Sequence, residues 1–163
     1  MINNKLAIAF DIPNEYLAGV ADSDGSFSYL KNYSKPRKKY YYRPFFQLTW
    51  KYSKEADLVC KYLKNKYKAG LYYGIKKNDL LGRECKIIKV QMWEKSVVLF
   101  LEDILPYLIL KKKQAEIVLY GAKLKSRKWG VKGKPKEIWE KEIKLYKKIN
   151  SLNSKNKKLY DKR

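Results

Sequence analysis

Tyr16-Leu-Ala-Gly-Val-Ala-Asp-Ser-Asp-Gly-Ser-Phe27 is the stretch whose reading decides the fold. An apolar run of small residues leads into two acids one residue apart, Asp22 and Asp24. Gly25 follows, and the chain then turns strand-like. Small residues let two helices approach closely. Acids at a helix C-terminus are disfavoured by the macrodipole unless a cation stands near. Packing and chemistry therefore share one segment. Its helix should start between Asp11 and Asn14, where Asp, Pro and Asn favour capping and a first turn. It should end at about Asp24, stopped by Gly25.

Outward from this helix the periodicity alternates between the two regular structures. Ser26 to Tyr33 reads as a strand with Phe27 and Tyr29 on one face and Ser28, Leu30 and Asn32 on the other. A basic turn with Pro36 leads to a second strand, Tyr40 to Lys51, where Pro44 removes a ladder donor and suggests an irregular or edge position. Lys54 to Tyr67 is helical, with Ala56, Val59, Cys60, Leu63 and Tyr67 inward. Gly70 to Lys77 and Glu84 to Trp93 form a second hairpin. Ser96 is placed to cap a helix that Pro106 ends, Lys111 to Arg127 is helical again, and Glu137 to Leu152 is a last helix beyond a Gly/Pro loop. The order is that of an α+β fold: one antiparallel sheet with helices on one face.

The 163 residues suit a single domain, and 45% hydrophobic content provides a core. Lys and Arg number 38 against 16 acids, a net charge of +22 that favours a polyanionic partner, nucleic acid before a membrane surface. No run of ~18 apolar residues spans a bilayer, and the N-terminal apolar run is too short for a secretion signal. An intracellular protein with reduced Cys60 and Cys85 is expected. With no histidine at all, histidine-based nucleases and Cys2His2 zinc fingers are excluded. The sheet face away from the helices should carry Ser28, Leu30, Asn32, Tyr41, Arg43, Gln47, Lys77 and Lys89, a polar, basic and aromatic set suited to nucleic acid, or an ordinary solvated face. From Lys123 onward 16 basic and 4 acidic residues give net +12, and Ser154 to Lys158 reads either as a phosphate-contacting loop or as a solvated tail.

Leu17-Ala-Gly-Val-Ala-Asp-Ser-Asp-Gly25 closely resembles the LAGLIDADG motif of homing endonucleases. The element order is similar to that family's αββαββα core. Leu105-Pro-Tyr-Leu-Ile-Leu-Lys-Lys-Lys-Gln-Ala115 looks like its second signature, and Leu152-Asn-Ser-Lys155 resembles the C-terminal loop of its small dimeric members. The resemblance implies one domain over residues 1–163, with a core of about 8–127, a saddle-shaped antiparallel sheet, and a basic C-terminal helix and tail of about 136–163. A single motif implies a homodimer through the motif helix, with Tyr16, Leu17, Ala18, Gly19, Ala21 and Asp22 at the seam. It further implies an intron-encoded, site-specific endonuclease that makes a metal-dependent double-strand break with 3′ overhangs at a long pseudo-palindromic site in double-stranded DNA.

By the same resemblance Asp24 is the metal ligand, joined by the backbone oxygen of Ser23. Such hard oxygen donors suit Mg2+, with Mn2+ or Ca2+ able to substitute in binding. Lys111 matches the catalytic lysine, Lys113 a backbone contact, and Ser154, Lys155 and Lys158 the DNA-contacting tail. Asp22 is expected to cap or brace the helix end. Two positions depart from the pattern. Ser23 stands where Gly or Ala is usual, and Trp50 occupies the place of a water-positioning polar residue, often Gln; either Gln47 or Lys51 substitutes, the water network differs, or cleavage is weak or lost. The same fold also serves intron RNA maturases and non-cleaving DNA-binding proteins, the alternative reading. Asp79, Glu84 and Lys86 form a D-x4-E-x-K arrangement reminiscent of restriction-type sites, but they sit in a hairpin loop. The Lys, Asn, Tyr and Ile bias fits an AT-rich, organellar coding genome.

Overall fold

The computed structural model describes residues 11–36, 38–77, 84–126 and 134–160, with residues 126 and 155–160 described by backbone alone. Helix α1 (Asn14–Ser23) runs into strand β1 (Gly25–Ser34), which turns into β2 (Lys39–Lys51). Helix α2 (Lys54–Tyr67) leads to the hairpin of β3 (Gly70–Lys77) and β4 (Glu84–Trp93). Helix α3 (Lys95–Ile104), a 3-10 turn (Leu105–Tyr107), α4 (Lys112–Ser126) and α5 (Lys136–Tyr160) complete the chain. The antiparallel sheet has the order β1-β2-β4-β3. This is the expected α+β architecture.

Side-chain alternation gives the sheet two unlike faces. Phe27, Phe46, Leu48, Ile88, Val90 and Met92 are buried among the helices. Phe46 lies between Phe27 and Phe100, with ring centroids 5.0 and 4.8 Å away. Gly25 sits where a Cβ would lie 2.5 Å from both the Ala21 carbonyl oxygen and a Phe46 ring carbon, so α1 turns into β1 through a point that admits no side chain. Gly121 of α4 likewise clears the space taken by the Tyr29 ring, whose hydroxyl donates to the Ile117 carbonyl at 3.3 Å.

Several local expectations are corrected. Asp11 and Asn14 do not cap α1; Pro13 holds the cap position, and Asp11 accepts from Tyr62. Ser96 does not cap α3. Glu94 holds the cap position at a positive φ of 57° with no side-chain cap bond, while the Ser96 hydroxyl donates to the Lys68 carbonyl at 3.1 Å. Pro44 lies in an interior strand of the sheet, yet the expected edge position holds locally. It pairs with Tyr29 in β2, just where β4 stops accompanying that strand, so its missing N–H breaks no ladder bond to β4. The run from Ser154 to Lys158 is not a loop: α5 continues through it. Neither Gly nor Pro interrupts the run, and the preceding turn is anchored by buried Ile149 and by Asn153, which donates to the Phe27 carbonyl at 3.1 Å. Asp79 lies outside the described residues, but Glu84 and Lys86 are not in a loop: they begin β4, paired with Lys77 and Ile75 of β3, and Glu84 also meets the Lys77 ammonium at 3.7 Å.

Candidate active site

The last turn of α1 and the first turn of α4 exchange charges. Asp22, 9% exposed, accepts from three backbone N–H groups ahead of α4: Ile109 at 2.7 Å and Leu110 at 3.1 Å on Oδ2, and Lys111 at 2.8 Å on Oδ1. A carboxylate thereby ties the stretch between the 3-10 turn and α4 to the end of α1. Lys111 returns the favour. Its ammonium donates to the Ser23 carbonyl at 3.0 Å, the Gly25 carbonyl at 2.8 Å and the Ala21 carbonyl at 3.4 Å. It is the cation that the C-terminus of α1 requires. Burial lowers the affinity of the Lys111 amine for its proton, against the pull of Asp22 and Asp24. Asp22 is thus a brace, as expected from sequence, though it braces α4 as much as its own helix.

Asp24 is exposed at the C-cap of α1. Its Oδ2 accepts from the Trp50 indole N–H at 2.8 Å, and its Oδ1 has no partner among the described residues. Trp50 ends β2 on the helix-covered side, opposite Ile88. The two residues proposed to replace it, Gln47 and Lys51, have the opposite parity and belong to the open face. Gln47 accepts there from Gln91 at 2.7 Å and donates to Thr49 at 3.3 Å. The Ser23 carbonyl, expected to join Asp24 on a metal, already accepts from Lys111. Among the described residues no three acidic, Cys or His side chains cluster as a metal site.

Register settles the open face. Ser28, Leu30 and Asn32 lie beside Phe45, Arg43 and Tyr41, and Gln47 and Thr49 lie beside Gln91 and Lys89. Seven of the eight sheet residues expected there share this face. Lys77 does not: it pairs with Glu84 on the other parity, and Lys76 takes the open face beside Cys85. β3 is exposed along most of its length, so its hydrophobic pattern carries no facing signal. Thr49, Lys51, Gln91 and Trp93 also belong to this face; they were readable as every second residue of β2 and β4. Arg43 is anchored by Glu94 at 2.8 Å, with its guanidinium over the Trp93 ring. Lys113 is exposed in the first turn of α4, and Ser154 is exposed with its hydroxyl donating to Asn150 at 2.8 Å. The side chains of Lys155 and Lys158 lie outside the described residues.

Four of the six residues expected at the dimer seam face inward. Leu17, Ala18, Ala21 and Asp22 are buried in the chain's own core, against α3 and the 3-10 turn, where a second copy has no access. Helical geometry permits one inward stripe, and these residues form it. The outward stripe is Tyr16, Gly19, Val20 and Ser23. Tyr16 is 52% exposed, and a Cβ on Gly19 would meet nothing within 4 Å. The stretch after the 3-10 turn, which Asp22 holds against the end of α1, leaves Ile109 83% and Leu110 74% exposed. Two aliphatic side chains so open make an unusually apolar surface for a chain of charge +22.

No family model matches the chain, and no curated protein matches it. Solved structures do match. The homing endonuclease I-CvuI in complex with its target aligns with a TM-score of 0.61 and 20% identity, over 85% of this chain and 80% of its own. The homing endonuclease I-TnaI aligns at 0.59 and 17% identity, over 86% and 90%. The LAGLIDADG homing endonuclease I-SmaMI bound to cleaved DNA aligns at 0.56 and 18% identity, over 90% of this chain and 45% of its own. The likeness is one of fold.

Proposed function

From a chain that has the LAGLIDADG homing-endonuclease fold, we propose that it is a site-specific DNA endonuclease acting as a homodimer. The carrying observation is the division of labour at the end of α1. Asp22 and Lys111 are consumed in tying the end of α1 to the segment ahead of α4, whereas Asp24 remains exposed with one carboxylate oxygen that has no partner among the described residues. It adjoins the outward stripe on one side and the start of the open sheet face on the other. Two copies meeting along Tyr16, Gly19, Val20 and Ser23, flanked by Ile109 and Leu110, would bring two Asp24 carboxylates together. The proposal takes the chain as one such domain, its C-terminal helix included.

One carboxylate does not hold a hard divalent cation, and each chain offers only one at this site. Two Asp24 carboxylates suit Mg2+, so the donor set fits the metal in the dimer. I-CvuI complexes have been crystallised with Ca and with Mg, and in the Mg complex the DNA was not cleaved. Bound there, the cation would supply Lewis-acid stabilisation of charge on the scissile phosphate. The protein's own groups do the rest. Arg43, Lys89, Lys51 and Lys76 neutralise backbone phosphates across the open face, and Asn32, Gln47 and Gln91 offer donors and acceptors to base edges. Lys111 adds fixed positive charge behind Asp24. Its carbonyl partners hold the ammonium in place, so no reorganisation is needed as charge develops. A two-fold dimer reads a pseudo-palindromic site. Intron encoding, 3′ overhangs and an organellar gene complete the reading.

The test is incubation of the purified protein with Mg2+ and linear duplex DNA joining the sequences that flank its reading frame. A double-strand break at the junction is expected. Trp50 on Asp24 favours a second reading, a maturase or non-cleaving DNA binder, because the indole occupies the acid that cleavage needs. An intact duplex together with stimulated splicing of the intron RNA would establish that second reading.

A further inference from the structure

We infer that Trp50 is the positioning residue for Asp24: its indole N–H fixes Oδ2 and leaves Oδ1 as the oxygen that meets the cation. This rests on the endonuclease reading above, and it concerns how this chain presents its acid. Asp24 stands at the exposed end of α1, where a lone carboxylate would sample several rotamers. Trp50 does not share that freedom. Its backbone is held in β2 opposite Ile88, and its ring packs against the core. A rigid donor therefore holds a mobile acceptor, through a charge-assisted bond of 2.8 Å.

The other candidates for this role are engaged elsewhere. Lys111 is spent on three carbonyls, and Gln47 is tied to Gln91 and Thr49 on the far side of the sheet. The indole has a single N–H and no acceptor. It can neither ligate a cation nor hold a water by its lone pairs, so its contribution passes entirely through Asp24. Partners that orient a ligand without touching the metal change metal affinity by ~10–100-fold when removed. Trp50 turns a departure from the usual water-positioning residue into a different device, one that orients the acid itself.

Two variants separate orientation from packing. Trp50→Phe keeps a half-buried ring and removes the N–H; Trp50→Gln loses the ring and supplies an amide donor. The first measurement needs no cation: the indole N–H resonance of Trp50 should move upfield in Asp24→Asn, and an unchanged resonance would overturn the inference. The second is Mn2+ binding to the protein–DNA complex, read by calorimetry. Trp50→Phe should weaken it about tenfold, while DNA affinity in EDTA stays within twofold. Trp50→Gln should recover most of the Mn2+ affinity, and the same ranking should hold for kcat with KM for DNA unchanged. Wild-type Mn2+ affinity in Trp50→Phe overturns the inference and leaves the endonuclease reading standing. Should Trp50→Phe fail to fold, a Trp50→Gln variant with wild-type unfolding temperature but tenfold weaker Mn2+ binding overturns it equally. A responsive indole in a wild-type protein that binds no Mn2+ through Asp24 overturns the endonuclease reading, and the inference with it.

Discussion

Leu17, Ala18, Ala21 and Asp22 line the side of α1 that faces the chain's own core, whereas Tyr16, Gly19, Val20 and Ser23 line the side that faces away. Both sides hold small residues, and an acid lies on or just beyond each. On the inner side the small residues are filled against and both oxygens of the acid are engaged, by three backbone donors. On the outer side the glycine faces empty space, and among the described residues Asp24 has one bond and one oxygen without a partner. Residue type therefore does not separate architecture from function here. Satisfaction does: groups whose bonding capacity is used up inside the chain hold it together, and those left open are available to something else.

The sharpest way to break this contrast is to neutralise each acid in turn. Asp24→Asn should lower the cleavage rate by at least ~1000-fold, or about 4 kcal/mol of transition-state stabilisation. Its urea unfolding should stay within about 0.5 kcal/mol of wild type, and DNA binding in Ca2+ should be largely kept. Loss of binding along with cleavage in a folded variant would erase the distinction. Asp22→Ala should do the reverse, costing about 3 kcal/mol of stability because three N–H groups lose their acceptor. Thermal denaturation would then shift by roughly 6–12 °C. A shift under 2 °C would mean that Asp22 is no brace.

The contrast extends to the small residues. Gly19→Asp places like charges on either side of the proposed two-fold axis, and dimer dissociation followed by sedimentation should be easier by about 2 kcal/mol. The monomer should unfold at its usual temperature, since the added side chain meets nothing. The smallest effect concerns Lys111. Burial lowers its pKa, so between that lowered value and its ordinary 10.5 the unfolded chain binds the proton that the folded chain has released. Stability contributed by this residue rises with pH in that window. Melting curves of wild type and Lys111→Met should diverge, in favour of wild type, as pH approaches 10.5; converging curves would contradict the burial argument.

Much of this was legible in the sequence. The bounds of α2, β3 and β4 follow directly from periodicity and turn residues, because each has either a clear apolar stripe or a strong breaker at its ends. The open face of β1 and β2 was readable for the same reason. Lys77 was misplaced because β3 buries too little for its alternation to carry a sign. The inner and outer sides of α1 were confused because alanine and glycine fit a tight helix pair and a tight core equally well. Trp50 was read only as a missing acceptor. That it donates to Asp24 depends on the distance between the end of β2 and the end of α1, which no local pattern encodes.

Two glycines in the opening segment are held by different constraints. At Gly25 a Cβ would strike Ala21 and Phe46 of the same chain; at Gly19 it would strike nothing there. A lineage that abandoned pairing while keeping its fold would therefore be free to drift at position 19 and would remain fixed at 25. Comparing how the two positions vary among descendants of this chain would read, from sequences alone, whether and when the proposed pairing was lost.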